Sequence, residues 1–119
     1  MLLNEIKALL NADIMTGETD EELKKKDIKT ACGCDLMSDV LAYVKDQSLL
    51  MTGLINSQVI RTAEMMDIKA VCFVRGKRPT EDIIALAKKK DITVLTTNST
   101  LFVSCGKLYE KGLKGRRND

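Results

Sequence analysis

At 119 residues the chain has the length of one domain, and it can bury roughly two thirds of its unfolded surface. Its 19 basic and 17 acidic residues leave a formal charge of +2, and Phe and Tyr number two each with no Trp. That balance argues against holding nucleic acid or an anionic membrane by bulk charge, and so few rings against stacking single strands.

The start, "MLLNEIKALLNAD", carries helical spacing at Leu2, Leu3, Ile6, Leu9 and Leu10, with Asn4 as a candidate cap. Charge interrupts it where a signal peptide would be apolar, and no later run approaches the ~20 apolar residues that cross a bilayer. A cytoplasmic protein is expected. Read alone, "LNEIKALLNA" resembles half of a helix-turn-helix, but no second helix follows in register. An extended piece, "DIMTG", ends at Gly17, and "ETDEELKKKD" (18–27) reads as a solvated loop or short helix.

From there strands and helices alternate. "IKTACG" (28–33) reads as a strand, and 36–45 as a helix with Met37, Val40, Leu41 and Val44 inward. "SLLMT" (48–52) is a strand. The helix over 57–67 turns Val59, Ile60, Ala63 and Met66 inward, with Asn56 as cap and Ile55 positioned to staple onto Ile60. "KAVCFV" (69–74) is a β-favouring run suited to burial on both faces. A helix over 81–90 buries Ile83, Ile84 and Ala87, and "ITVLTT" (92–97) is a strand. The last helix, 101–111, places Leu101, Phe102, Cys105, Leu108 and Tyr109 inward, with Gly112 as C-cap. Right-handed βαβ crossovers then make an α/β domain over residues 1–112, with four parallel strands, and a basic tail over 113–119 expected to fray.

In such a sheet ligands gather at the carboxyl ends of the strands. Those ends are "GCDLMSD" (33–39), "TGLIN" (52–56), "RGKRPT" (75–80) and "TNST" (97–100). Gly33, Gly53 and Gly76 allow close backbone approach. Helix starts at Asp35 or Ser38, at Asn56, at Thr80 and at Ser99 or Thr100 present free amides. Arg75, Lys77 and Arg78 add positive charge, and Asp35 and Asp39 offer acceptors for hydroxyls or amines. The candidate ligand-binding set is Gly33, Asp35, Asp39, Thr52, Gly53, Asn56, Arg75, Gly76, Lys77, Thr97 and Ser99. Helix capping alone accounts for much of this chemistry, since caps are made of Ser, Thr, Asp and Asn. It accounts least well for three cations in "VRGKRPT", which oppose the dipole of the helix they precede.

Catalytic patterns are missing. A phosphate loop ending at Gly76-Lys77 would need Gly where Val71 stands and Ser or Thr where Arg78 stands, and there is no His to act as a base. The cysteines Cys32, Cys34, Cys72 and Cys105 read as buried free thiols; Cys32 and Cys34 would share one face of a strand, with no His to complete a metal site. No cofactor is expected.

The run from "GCDLMSDVLA" through "LLMTGLINSQVIRTAEMMDIKAVCFVRGKRPTEDIIALAKKKDITVLTT" to "LFVSCGKLYEKGL" resembles the DRTGG domain family, in particular its small stand-alone members. Thr52-Gly53 matches the start of the Thr-Gly-Gly element, with Leu54 in place of the second Gly, and Asp35-Leu36 stands for the Asp-Arg element. The opening α-β part looks like the start of the related N-terminal domains of HPr kinase/phosphorylase and the Mur ligases. The resemblance implies a three-layer α/β/α domain with a mostly parallel central sheet. It also implies a regulatory or accessory role, as in relatives beside CBS domains of pyrophosphatases or ahead of phosphotransacetylases. Two functions follow as expectations. One is sensing of a nucleotide or other phosphorylated metabolite, its phosphates on amides near Gly53 and Gly76 and on Lys77 or Arg75. The other is a ligand-free module that homodimerises or docks on a partner enzyme.

Overall fold

Apolar strand runs that alternate with amphipathic helices must bury both faces of the sheet they form, and the computed structural model, which describes residues 1–44 and 48–115, has that arrangement. In chain order the elements are α1 (Leu3–Leu10), β1 (Asp13–Ile14), α2 (Asp20–Leu23), β2 (Thr30–Gly33), α3 (Met37–Tyr43) and β3 (Ser48–Thr52). They continue with α4 (Ser57–Met65), β4 (Ala70–Phe73), α5 (Glu81–Lys89), β5 (Thr93–Thr96) and α6 (Leu101–Glu110). The sheet order is β1-β5-β4-β3-β2. Strands β2 to β5 are parallel, as expected, and "DIMTG" adds a fifth strand, β1, antiparallel to β5 through Asp13↔Thr96 and Ile14↔Leu95.

Strand side chains alternate between two cores. Leu49, Met51, Ala70, Cys72 and Leu95 face α1 and α6. Leu50, Val71, Phe73 and Val94 face α3, α4 and α5. Each parallel strand is added on the same side of the last, so right-handed crossovers put α3, α4 and α5 on one face. The α6 helix returns over the other face, against β2 and β3. This is the expected three-layer α/β/α domain.

Several details differ from the sequence reading, each for a physical reason. Strand β2 starts at Thr30, not Ile28, because its partner begins at Ser48, opposite Thr30; the Ile28 amide instead donates to the Met1 carbonyl. Asn4 does not cap α1. The N-cap is Leu2, because Leu3 is fully buried and must already lie on the helix, and the Leu3 amide donates to the Lys26 carbonyl. Neither Asp35 nor Ser38 caps α3, whose N-cap is Leu36 without a side-chain bond. Leu41, Phe102 and Tyr109 point outward, 40%, 87% and 59% exposed; periodicity counts an apolar residue as inward without knowing which face meets the sheet. Lys45, the expected end of α3, lies outside the described residues. Of the expected 113–119 tail, Leu113 is buried and the Lys114 carbonyl accepts from the Ala31 amide, while 116–119 lie outside the described residues.

The charged connector is built into the structure. Thr19 and Glu22 form a capping box that starts α2. Beside it the Glu18 carboxylate accepts from the Thr16 and Thr93 hydroxyls, and Lys26 Nζ lies 3.7 Å from Glu18 Oε2 and donates to Thr93 Oγ1 at 2.8 Å. Both side chains are mostly covered, at 15% and 21% exposure, so the pair is less screened than a surface ion pair. Glu18→Gln removes the charge and turns one of the two accepting oxygens into a donor; we expect it to cost about 1–3 kcal/mol, read as a lowered urea midpoint with unchanged slope.

Candidate functional site

Because β2 to β5 run parallel, their exits share one rim, and side chains and backbone stitch the four exit loops together. Asp35 Oδ1 accepts from Thr52 Oγ1 at 2.9 Å and from the Gly53 amide at 2.8 Å, joining the first loop to the second. Thr52 Oγ1 also accepts from the Leu54 amide at 3.1 Å. The Arg75 guanidinium lies over Gly53, where any side chain would collide with it, so the third loop rests on the second. The Arg75 amide donates to the Ser99 carbonyl at 2.8 Å and the Gly76 amide to the Thr97 carbonyl at 2.9 Å, tying the third loop to the fourth. Thr97 Oγ1 donates to the Leu10 carbonyl at 2.7 Å and accepts from the Ser99 amide. Leu101 and Cys105 close over Gly33.

Seven of the candidate residues therefore form one connected set, Asp35, Thr52, Gly53, Arg75, Gly76, Thr97 and Ser99, and Gly33 lies apart from it under Leu101 and Cys105. Asn56 caps α4 through the Val59 amide at 3.3 Å. Asp39 and Lys77 are exposed and, among the described residues, have no ion pair or side-chain hydrogen bond. Caps at Thr80 and Thr100 also form, each accepting from the amide three residues on.

Two expectations about the rim change. The amides of Gly53 and Gly76 are engaged by Asp35 and by the Thr97 carbonyl, so they offer nothing to a phosphate. Anion binding here rests on side chains. Of the three cations in "VRGKRPT", Arg78 is held by Asp13 at 3.0 Å and by Met15 Sδ, on the edge made by β1. Arg75 and Lys77 make no ion pair among the described residues.

Arg75 is also the strained residue of the rim. With Gly76 it forms a turn in which both residues are left-handed, φ 61° and 70°, closed by the Lys77 amide on the Val74 carbonyl. Gly adopts that conformation freely; for Arg it costs about 1–2 kcal/mol. Nothing in the local sequence signals this, since the glycine of the pair is the second residue. The sequence reading also missed Asn98, whose Oδ1 sits beside Gly76, and the exposure of Leu36 and Phe102.

The thiols are packing groups. Cys32 and Cys34 pack against the same core cluster, as their spacing predicts. Burial pushes the Cys32 thiol up to about 11 and Cys72 to about 12, and raises Cys105 as well, which leaves little thiolate at neutral pH.

The profile of a family described as DRTGG domain matches residues 5–108. No curated protein sequence matches the chain. Among solved structures, similarity is found to the CBS and DRTGG domains of the regulatory region of Clostridium perfringens pyrophosphatase, complexed with its activator diadenosine tetraphosphate. The TM-score is 0.71 at 19% identity, covering 90% of this chain and 45% of that one. At that identity the likeness speaks for the fold, and the chain spans less than half of that structure's length. No described helix is long and apolar enough to cross a membrane.

Proposed function

Because this chain belongs to the DRTGG domain family, we propose that it is a non-catalytic regulatory domain whose strand-end rim senses a nucleotide or other phosphorylated small molecule. The observation that carries this reading is Arg75. A long cation is held in a left-handed backbone by the third and fourth loops, its guanidinium laid over Gly53. Backbone strain of this kind persists where the surroundings over-determine it, and it clusters at ligand sites. Arg75 supplies a planar fork for phosphate oxygens and Lys77 a second, mobile charge. Asp35, whose Oδ1 takes both of its recorded hydrogen bonds and leaves the other oxygen to accept, and Asp39 would accept from hydroxyls. The regulatory region of the similar pyrophosphatase is complexed with a nucleotide activator, which supports the ligand class. Binding would act by shifting the balance between two states of the domain.

Thermal melts with adenine and guanine nucleotides, diadenosine tetraphosphate and inorganic phosphate test the proposal. A ligand at a hundred times its Kd adds about 2.7 kcal/mol, a rise of several degrees in Tm for a domain of this size. Lys77→Ala is expected to lose most of that rise while melting normally without ligand. No rise with any of these compounds would overturn the reading.

The second reading, a ligand-free module that dimerises or docks on a partner enzyme, is favoured by a different observation, the exposed aromatic residues of α6.

A further inference from the structure

Two opposite charges of the rim are held apart. Asp35 is pinned through Oδ1 to the Thr52 hydroxyl and the Gly53 amide. Arg75 is pinned through its backbone, whose left-handed turn Ser99 secures, and its guanidinium fills the place of a side chain on Gly53. Both heads therefore flank one buried glycine, with Asp35 Oδ1 and Arg75 Nη2 less than about 8 Å apart. No nitrogen of Arg75 comes within the 4.0 Å of an ion pair with Asp35. Both residues are exposed, so a ligand can reach each head.

Two further facts narrow what fits between them. The four exit loops hold no aromatic residue, so a nucleobase placed there has no ring to stack on. The free charge of the rim is also balanced: Arg75 and Lys77 stand with Asp35 and Asp39, while Arg78 is held by Asp13. One phosphate monoester carries about −1.5 to −2, which the two cations match. A longer phosphate chain brings more negative charge against the two carboxylates.

We infer that the rim takes a sugar monophosphate, its phosphate on Arg75 and Lys77 and a hydroxyl of the same sugar on Asp35, and that it does not read a base. This rests on the rim being the phosphate-sensing site proposed above, and it names the part of the ligand that is read. A phosphate and a hydroxyl of one sugar fit across a gap of this size, whereas the far edge of a base lies beyond it. The chemistry agrees. An ionised carboxylate only accepts, a sugar offers several hydroxyl donors, and a hydrogen bond to a charged acceptor is of the stronger kind. Because other bonds hold both Asp35 and Arg75, the gap exists before the ligand arrives, and little ordering opposes binding. A nucleotide then binds through its ribose phosphate, with the base outside.

Calorimetric titration of the purified chain with adenosine 5′-monophosphate, its 2′,3′-dideoxy analogue, ribose 5-phosphate and adenosine 5′-triphosphate tests this. Ribose 5-phosphate is expected to bind within about threefold of the nucleotide, and the triphosphate no more tightly than the monophosphate. The dideoxy analogue keeps base and phosphate and lacks both hydroxyls. It is expected to bind at least about tenfold more weakly, the loss of a hydrogen bond to a charged group. Glycerol 3-phosphate against propyl phosphate, which differ only in two hydroxyls, repeats the comparison without a base and should show the same preference. Asp35→Asn keeps a carbonyl oxygen for Thr52 and Gly53, and in it the preference for hydroxyls should fall toward none. A dideoxy analogue that binds as tightly as the parent nucleotide overturns the inference. So does ribose 5-phosphate about tenfold weaker than the nucleotide, or a triphosphate about tenfold tighter; in each of these cases the rim remains a phosphate site. No binding by any of the compounds overturns the inference together with the function it rests on.

Discussion

Arg75→Gly is expected to remove half or more of the thermal response to phosphorylated ligands while leaving the ligand-free protein as stable as the wild type or slightly more so. Two opposing terms set the stability. Gly relieves the left-handed strain at φ 61°, about 1–2 kcal/mol, but it loosens the unfolded chain by roughly 0.4–1 kcal/mol. The backbone bonds that hold the turn, from the Arg75 amide to Ser99 and from the Gly76 amide to Thr97, need no side chain and survive. Binding loses a charge-assisted fork, which corresponds to about 10–100-fold in affinity. Arg75→Ala isolates the strain: it removes the same guanidinium but keeps a Cβ in the left-handed region, so it should bind as poorly and melt lower than the Gly variant. If Arg75→Gly responds to nucleotides as fully as the wild type, the guanidinium is not in the site. If the Ala variant melts as high as the Gly variant, the turn is not strained.

The contrast between Arg75 and its surroundings shows what a sequence can and cannot announce. The strands at 48–52, 70–73 and 93–96 were legible because continuous β-favouring runs fit only a sheet covered on both faces. The caps at Asn56, Thr80 and Thr100 were legible because a side-chain oxygen three residues before a free amide is local chemistry. Asp35 looks like one more cap, yet its partners are 17 and 18 residues away, and no local rule reports a bond across two loops. The start of α1 was misplaced because the need to bury Leu3 overrode the capping preference of Asn4. On α6 the period was right and the direction ambiguous: with apolar residues on two sides, spacing alone cannot say which side meets the sheet. The left-handed turn at Arg75 is dictated by its tertiary hydrogen bonds, and its one glycine, Gly76, marks the second position and not the first.

Asp35 is the residue whose loss should weaken the rim most. Its carboxylate satisfies two donors that are otherwise shut away, the hydroxyl of fully buried Thr52 and the amide of buried Gly53. Asp35→Ala leaves both without an acceptor, and each buried unpaired donor costs about 1–3 kcal/mol. The expected loss is a few kcal/mol, a large share of the 5–15 kcal/mol that holds a typical domain together. Denaturant unfolding should show it as a lower midpoint, and hydrogen exchange should show the Gly53 amide losing protection. Asp35→Asn is the control that separates structure from recognition. Its carbonyl oxygen can accept both bonds, so about 1 kcal/mol is the expected cost. Its other arm donates where the carboxylate accepted. That variant should therefore keep its response to inorganic phosphate, which rests on Arg75 and Lys77, and lose part of its response to nucleotides, whose hydroxyls need an acceptor. Equal responses to both compounds, before and after the change, would remove Asp35 from the ligand's surroundings and leave it as the bolt between the first two loops.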